Sequence, residues 1–342
     1  MRQYHRTVFF TKSPLSGYYK YQDVFQIFPA ELENMPAFSS ERQFHFPNIL
    51  EYWTSDEELV TLPPGLEGLE ELHTIAARRE RKEEQILGLL TSFSNNLFFK
   101  YAAADASWGF PMPPDSLGEE INARASVWCW RMYTFPDLSR QLTIEGFTEC
   151  SGHGISTLPY NRFYTHYPNL DTDRDEPLIL PSAMDRLLRA YYTLDSATRD
   201  IIDYAISFTV SAVKLHYTDK TVSLLASFTS LETLVDLEYR GQTVENCPTC
   251  GQPRHKVSAK FRGFLMKYIG ESPANKKKFN AYYSLRSSVV HTGRQLATEK
   301  LFAEVSEDDA QRELVDRTEI LQLGKLAITR WLLATLNVTE NH

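Results

Sequence analysis

The stretch SPANKKKFNAYYSLRSSVVHTGR, residues 272–294, reads as one helix with both of its ends marked. Ser272 offers a hydroxyl to the free N–H groups of a first turn. Pro273 fits the position that needs no N–H, and Gly293 suits the left-handed residue just past a last turn. Between these marks Phe279, Tyr282, Tyr283, Leu285, Val289 and Val290 recur at three- and four-residue intervals. Working backwards, SAMDRLLRAYYTL (182–194), DSATRDIIDYAISFTVSAVKLHY (195–217) and DKTVSLLASFTSLETLVDLEY (219–239) carry the same period, with Ser182, Asp195 and Asp219 as expected N-caps. A basic helix around 256–269 and a last one around 307–337 complete the pattern. Residues 182–342 are therefore expected to form an all-α bundle of consecutive, antiparallel helices.

The chain upstream has another texture. Residues 1–66 mix aromatic, proline and polar residues without helical period, as short strands and loops do. Residues 66–93 return to helical spacing, as one helix or a helix pair. NLFFKY (96–101), SVWCWRMYTF (126–135) and RQLTIEGFTE (140–149) then read as strands. Residues 1–166 are thus expected to be an α+β domain, with a sensor or regulatory role. The acidic, proline-bearing segment 167–181 is expected to be the connector. Its Asp171, Asp173 and Asp175 open like a calcium loop, but Glu176 and Ser182 stand where such a loop needs Gly and Glu.

With 342 residues, 42% of them apolar and 13% aromatic, the chain has ample material for two cores. No run approaches the roughly 20 apolar residues of a membrane span, and MRQYHRTVFF lacks a signal-peptide core. A cytoplasmic protein with no membrane partner is the expectation. The net charge of −8 would ordinarily argue against nucleic acid, yet its distribution is uneven. Residues 254–294 hold ten Lys/Arg and one acid, Glu271, so that segment is +9 and the remainder −17. A basic patch on an acidic body favours a local polyanion site. Lys276, Lys277, Lys278 and Arg294 are the expected RNA contacts within it.

Arg286 and His291 lie inside this basic helix, five positions and about 140° apart, with roughly 7.5 Å between them along the axis. They need not touch each other, but they can border one groove. RNA cleavage by the neighbouring 2′-hydroxyl needs a proton carrier and a cation for charge building on phosphorus. A histidine ring titrates near neutrality, and a guanidinium is always charged and offers a planar fork to phosphate oxygens. No metal is required for this chemistry, and Ser287 could orient an oxygen or water. The same residues admit a structural use, with Arg286 in a salt bridge to Glu232 and His291 ending the helix.

YYSLRSSVVHTGR (282–294) resembles the signature of the HEPN superfamily, particularly its Apea-like branch. FTSLETLVDLEY (228–239) is similar to the preceding helix of that branch, and CPTCGQPRHKVSAKFRGFLMKYIG (247–270) to its inter-helix segment. The resemblance spans about 185–337 and leaves out the first 165 residues. It implies a helical bundle acting as a metal-independent endoribonuclease that leaves 2′,3′-cyclic phosphates. It also implies a homodimer lining one composite cleft with two Arg-His motifs, and a role as a toxin or an antiviral, abortive-infection effector. An antitoxin or a phage-derived trigger would then be a partner beside RNA. On this chain Arg286 and His291 become the catalytic pair, supported by Glu232 and Ser287. The chain departs from the pattern in having Ser287 where many members have Asn, Asp or His. Gly293 replaces the tyrosine that partner nucleotidyltransferases modify.

CPTCG places Cys247 and Cys250 at metal-ligand spacing, and ECSGHG places Cys150 and His153 likewise. Either Cys247 and Cys250 take His255 as a third zinc ligand, or Cys150, His153, Cys247 and Cys250 form one interdomain structural zinc site of three cysteines and a histidine; the alternative is an ordinary turn with free thiols. No cofactor is expected for catalysis. Phosphate-loop, dinucleotide, zincin and serine-hydrolase signatures are all missing from the sequence. A non-catalytic RNA- or protein-binding module is the rival expectation from another class.

Overall fold

A computed structural model describes residues 2–30, 45–57, 70–100, 109–111, 132–134, 143–166, 176–242, 256–293, 295–300 and 304–340. The chain divides into two compact units: 1–90 with 96–158 and 171–180, and 91–95 with 159–170 and 181–342. The expected connector falls outside the described residues as far as 175.

The first unit is built on an antiparallel sheet. Strands β1 (Arg2–Thr11), β2 (Tyr19–Tyr21), β3 (Phe25–Pro29) and β4 (Phe46–Ser55) are ordered β2-β3-β4-β1, and β7 (Thr143–Ile144) closes the edge beside β1. The long β1–β4 ladder runs in unbroken register from Arg2↔Ser55 to Thr11↔Phe46. Side chains alternate between faces along it, so His5, Thr7 and Phe9 share a face with Leu50, Tyr52 and Thr54. Phe9, Phe25, Ile27, Leu50 and Tyr52 are fully buried. Helix α1 (Glu70–Phe93) is a single helix that buries Ile86, Leu87, Leu89 and Leu90. Its Glu83 is buried too, accepting a 2.6 Å hydrogen bond from the Tyr52 hydroxyl and pairing with Lys100. A small hairpin, β5 (Gly109–Pro111) with β6 (Met132–Thr134), and a short ladder, β8 (Thr157–Leu158) with β9 (Leu180–Pro181), complete the described strands. The expected strand at 96–101 is only a bridge from Phe99 to Phe10, and residues 126–131 lie outside the described residues.

A buried carboxylate fastens the edge of this sheet. Glu51 is wholly buried and takes two bonds on each oxygen. Arg6 Nε (2.8 Å) and the Thr148 hydroxyl (2.7 Å) donate to Oε1, while Gln26 Nε2 and the Thr148 N–H donate to Oε2, both at 2.8 Å. With every lone pair satisfied, burial of the charge is tolerated.

The second unit is helical: α2 (Tyr160–His166), α3 (Met184–Tyr192), α4 (Ser196–Leu215), α5 (Lys220–Glu238), α6 (Val257–Tyr268), α7 (Pro273–Thr292) and α8 (Glu307–Glu340). An α+β region followed by a mostly helical one therefore stands as expected. Helix α2 belongs to the helical unit, although the sequence pattern assigned it to the first domain. Its tyrosines explain why: Tyr160 bonds the Thr329 hydroxyl at 3.0 Å and Tyr164 donates to the Phe93 carbonyl at 2.8 Å.

Small hydroxyl residues let α4 and α5 approach closely. Thr209 and Ser230 share a 2.9 Å bond, Ser230 donates to the Ala205 carbonyl and Ser223 to that of Ala212. Leu224, Leu231, Leu234, Phe228, Phe261, Phe264, Phe279, Ile320 and Leu332 fill the core. Two expected caps are corrected. Helix α3 is preceded by Ala183, with no side-chain cap, so Ser182 does not serve. Asp219 makes no cap bond either. Glu299, in a 3-10 turn at Ala297–Glu299, fills that role by accepting from the backbone N–H groups of Lys220 and Thr221 and from the Thr221 hydroxyl. No helix among the described residues is long and apolar enough to cross a membrane.

Candidate functional site

Helix α7 forms where its local signals place it. The Ser272 hydroxyl accepts from Asn275 N–H at 3.0 Å, Pro273 opens the first turn, and Gly293 ends the helix at φ 62°. Phe279, Tyr282 and Val289 are buried, which seats the helix on the bundle and decides which face is left outside.

Arg286 points toward the bundle. Its Nη2 donates to Glu232 Oε2 at 2.9 Å, and Nε lies 2.8 Å from Oε1, so the fork of α7 grips a carboxylate of α5. Both side chains keep about a fifth to a quarter of their surface exposed. Such a pair fixes the plane of the guanidinium as well as its position. The Arg286–Glu232 bridge foreseen as the structural use of these residues is thus present, and it is equally the arrangement that would orient a phosphate-binding fork.

His291 sits exposed in the last turn and makes no hydrogen bond or ion pair among the described residues. Five positions from Arg286, it faces away from α5. One chain therefore does not bring the two motif side chains onto one face. Ser287, four residues before His291, is half-buried on the same side as the imidazole.

The segment after His291 is anchored. Leu296 is buried, and its N–H donates to the Thr221 hydroxyl at 3.0 Å, next to the Glu299 cap. Helix α5 thus holds α7 through Glu232 near its middle and holds the following segment at its N-terminus.

Of the expected RNA contacts, Lys276 and Lys277 are exposed and make no ion pair among the described residues. Lys278 is engaged at 2.5 Å by Glu319 of α8, whose other oxygen accepts from the Tyr282 hydroxyl. Burial, and then that bond, push the Tyr282 phenol far above its usual range. Asp316, one turn before Glu319, is raised by burial and then by the Glu319 charge. Arg294 lies outside the described residues. Arg262 of α6, not singled out in the sequence, donates to Asn280 Oδ1 of α7 at 2.8 Å. Nothing local in the sequence announces Glu319, Glu299 or Arg262, because each reaches its partner only through helix packing.

Cys247, Cys250 and His255 lie outside the described residues, so the interdomain zinc arrangement has only Cys150 and His153 to place. Cys150 is half-buried, and its thiol is raised by burial and then by the nearby Glu51 charge. His153 is exposed and bonds Tyr18 N–H through its carbonyl at 3.1 Å. Among the described residues no three His, Cys, Asp or Glu side chains cluster as metal ligands.

Set against family models, curated proteins and solved structures, the chain matches none of them.

Proposed function

We propose that the helical unit is a metal-independent endoribonuclease of HEPN type, acting as a homodimer and serving as a toxin or antiviral effector. The observation that carries this reading is the fork of Arg286, fixed in orientation by Glu232, on the helix that also presents an unpaired His291. In the proposed reaction the 2′-hydroxyl attacks the adjacent phosphorus while His291 takes or supplies the proton. The 5′-oxygen leaves with a proton, giving a 2′,3′-cyclic phosphate and a 5′-hydroxyl. Arg286 neutralises the charge gathering on the phosphate oxygens, where a preorganised donor is worth most. Because the two side chains diverge within a chain, the second copy supplies the complementary half of the cleft. The first unit would regulate the second, through a phage-derived trigger or an antitoxin, and zinc would be structural only.

The test is RNA from cells expressing the wild type, Arg286→Ala or His291→Ala, with and without phage challenge, mapped for new cyclic-phosphate ends. The purified protein is assayed in parallel with a chelator. Ends that vanish in both variants and persist in chelator support the ribonuclease. The pairing of Arg286 with Glu232 favours a second reading, a non-catalytic RNA- or protein-binding module. Under that reading His291→Ala changes neither RNA ends nor RNA affinity.

A further inference from the structure

Resting on the ribonuclease reading, we infer that its RNA is bound as a single strand laid along the exposed face shared by α6 and α7, running from Lys276 and Lys277 to His291. Lys276, Asn280, Ser284, Ser287 and His291 recur at four- and three-residue steps and so form one stripe, with Lys277 beside it. From Lys276 to His291 the stripe is about 22 Å long. Lys276, Lys277, Asn280, Ser284 and His291 are all exposed, while Phe279, Tyr282 and Val289 face the bundle.

The charges along α7 are sorted. The helix contains no Asp or Glu. Among the described residues two acids of neighbouring helices form ion pairs with it, and each takes one cation: Glu232 takes Arg286 and Glu319, with Asp316 nearby, takes Lys278. Lys276 and Lys277 are left uncompensated, and Arg262 joins them from α6 through a neutral partner, Asn280. Three cations at one end of the stripe, followed by hydroxyls and an imidazole, match the phosphates and sugar edge of one strand. Tyr283 is half-buried on the α6 flank of the stripe, its ring 5.5 Å from that of Phe261, and offers a face on which a base can stack. Arg262, Asn280 and Tyr283 are accordingly assigned to binding, whereas Lys278 is not.

The experiment measures binding of a labelled single-stranded RNA oligonucleotide by anisotropy between 50 and 200 mM salt, in a His291→Ala background that prevents cleavage. Three phosphate contacts on a single strand give a logarithmic slope near −2, or a roughly 20-fold loss of affinity over that range. The Lys276→Gln/Lys277→Gln/Arg262→Gln variant should flatten the slope by about 2, and Lys278→Gln should leave it unchanged. Tyr283→Leu should weaken binding without changing the slope. A triple variant with the wild-type slope overturns the proposal, as does equal or tighter binding of an A-form duplex. Circular dichroism checks that each variant is folded. Cleavage by the His291-intact protein is followed separately, so binding without cleavage rejects the nuclease and keeps the track, and cleavage with an unaltered slope does the reverse.

Discussion

Arg286 of α7 and Glu232 of α5 meet through two contacts, at 2.9 and 2.8 Å, while less than a quarter of either side chain remains exposed. The pair is an ion pair between the basic helix and an acid of α5. Replacing Glu232 by Gln leaves the guanidinium half-desolvated without its counter-charge. We expect a loss of about 1–3 kcal/mol, seen as a lower urea midpoint at unchanged slope. Arg286→Lys keeps the charge and loses the fork, so it should fail to restore cleavage. The exchanged pair, Glu232→Arg with Arg286→Glu, should regain part of the stability and none of the activity. Regained cleavage in that variant would show that the charge is not needed on α7.

Glu299 makes a second prediction. Its carboxylate satisfies two N–H groups at the start of α5 and lies at the positive end of a 19-residue helix. Glu299→Ala should cost about 1–2 kcal/mol, whereas Asp219→Ala should change stability by only a few tenths. Denaturant titration of the two variants distinguishes them, and the reverse ranking would return the cap to Asp219. Because Leu296 is held at the same place, hydrogen exchange at residues 289–296 should also quicken in Glu299→Ala.

These two acids show where sequence reading succeeds and stops. Helix α7 was legible because Ser272, Pro273 and Gly293 act on their own neighbours, and each does so in the structure. Asp195 likewise accepts from Thr198 N–H at 3.0 Å. Asp219 has the right residue type, but its backbone, at φ −126° and ψ 75°, does not aim the carboxylate at the helix, and a residue 80 positions later fills the role. Helix α2 carries no long apolar period in its sequence, because what ties it to the helical unit is a pair of tyrosine hydroxyls meeting Thr329 and Phe93. Lys276, Lys277 and Lys278 look alike in sequence, and only the packing of α8 gives the last of them to Glu319. Local chemistry is written locally; pairing of charges across helices is not.

Glu51 supports a prediction about the first unit. It receives four hydrogen bonds, from β1, from β3 and twice from Thr148, so it ties residues 143–148 to the sheet. Glu51→Leu leaves Arg6 without its carboxylate in a mostly buried setting, and about 3–5 kcal/mol should be lost. The double variant Arg6→Met/Glu51→Leu removes both charges and should recover much of that loss. If the single variant unfolds no earlier than the wild type, the carboxylate is not what holds this edge.

His5 sets the behaviour of the same unit in acid. It is buried in β1, with Nε2 2.8 Å from the Thr54 hydroxyl and Nδ1 without a partner, its ring 5.3 Å from that of Tyr52. Burial first, and the charge of Arg79 second, lower its pKa from 6.5 to about 4. The folded state therefore keeps the ring neutral while the unfolded chain takes up a proton. Stability rises with pH across this window and is lost as pH falls from 6.5 to about 4. At about 1.4 kcal/mol per tenfold difference in proton affinity, the loss approaches roughly 3 kcal/mol. Urea midpoints measured from pH 7 down to pH 4.5 should fall less steeply for His5→Gln than for the wild type. Parallel curves for the two proteins would mean that the acid sensitivity of this sheet arises elsewhere.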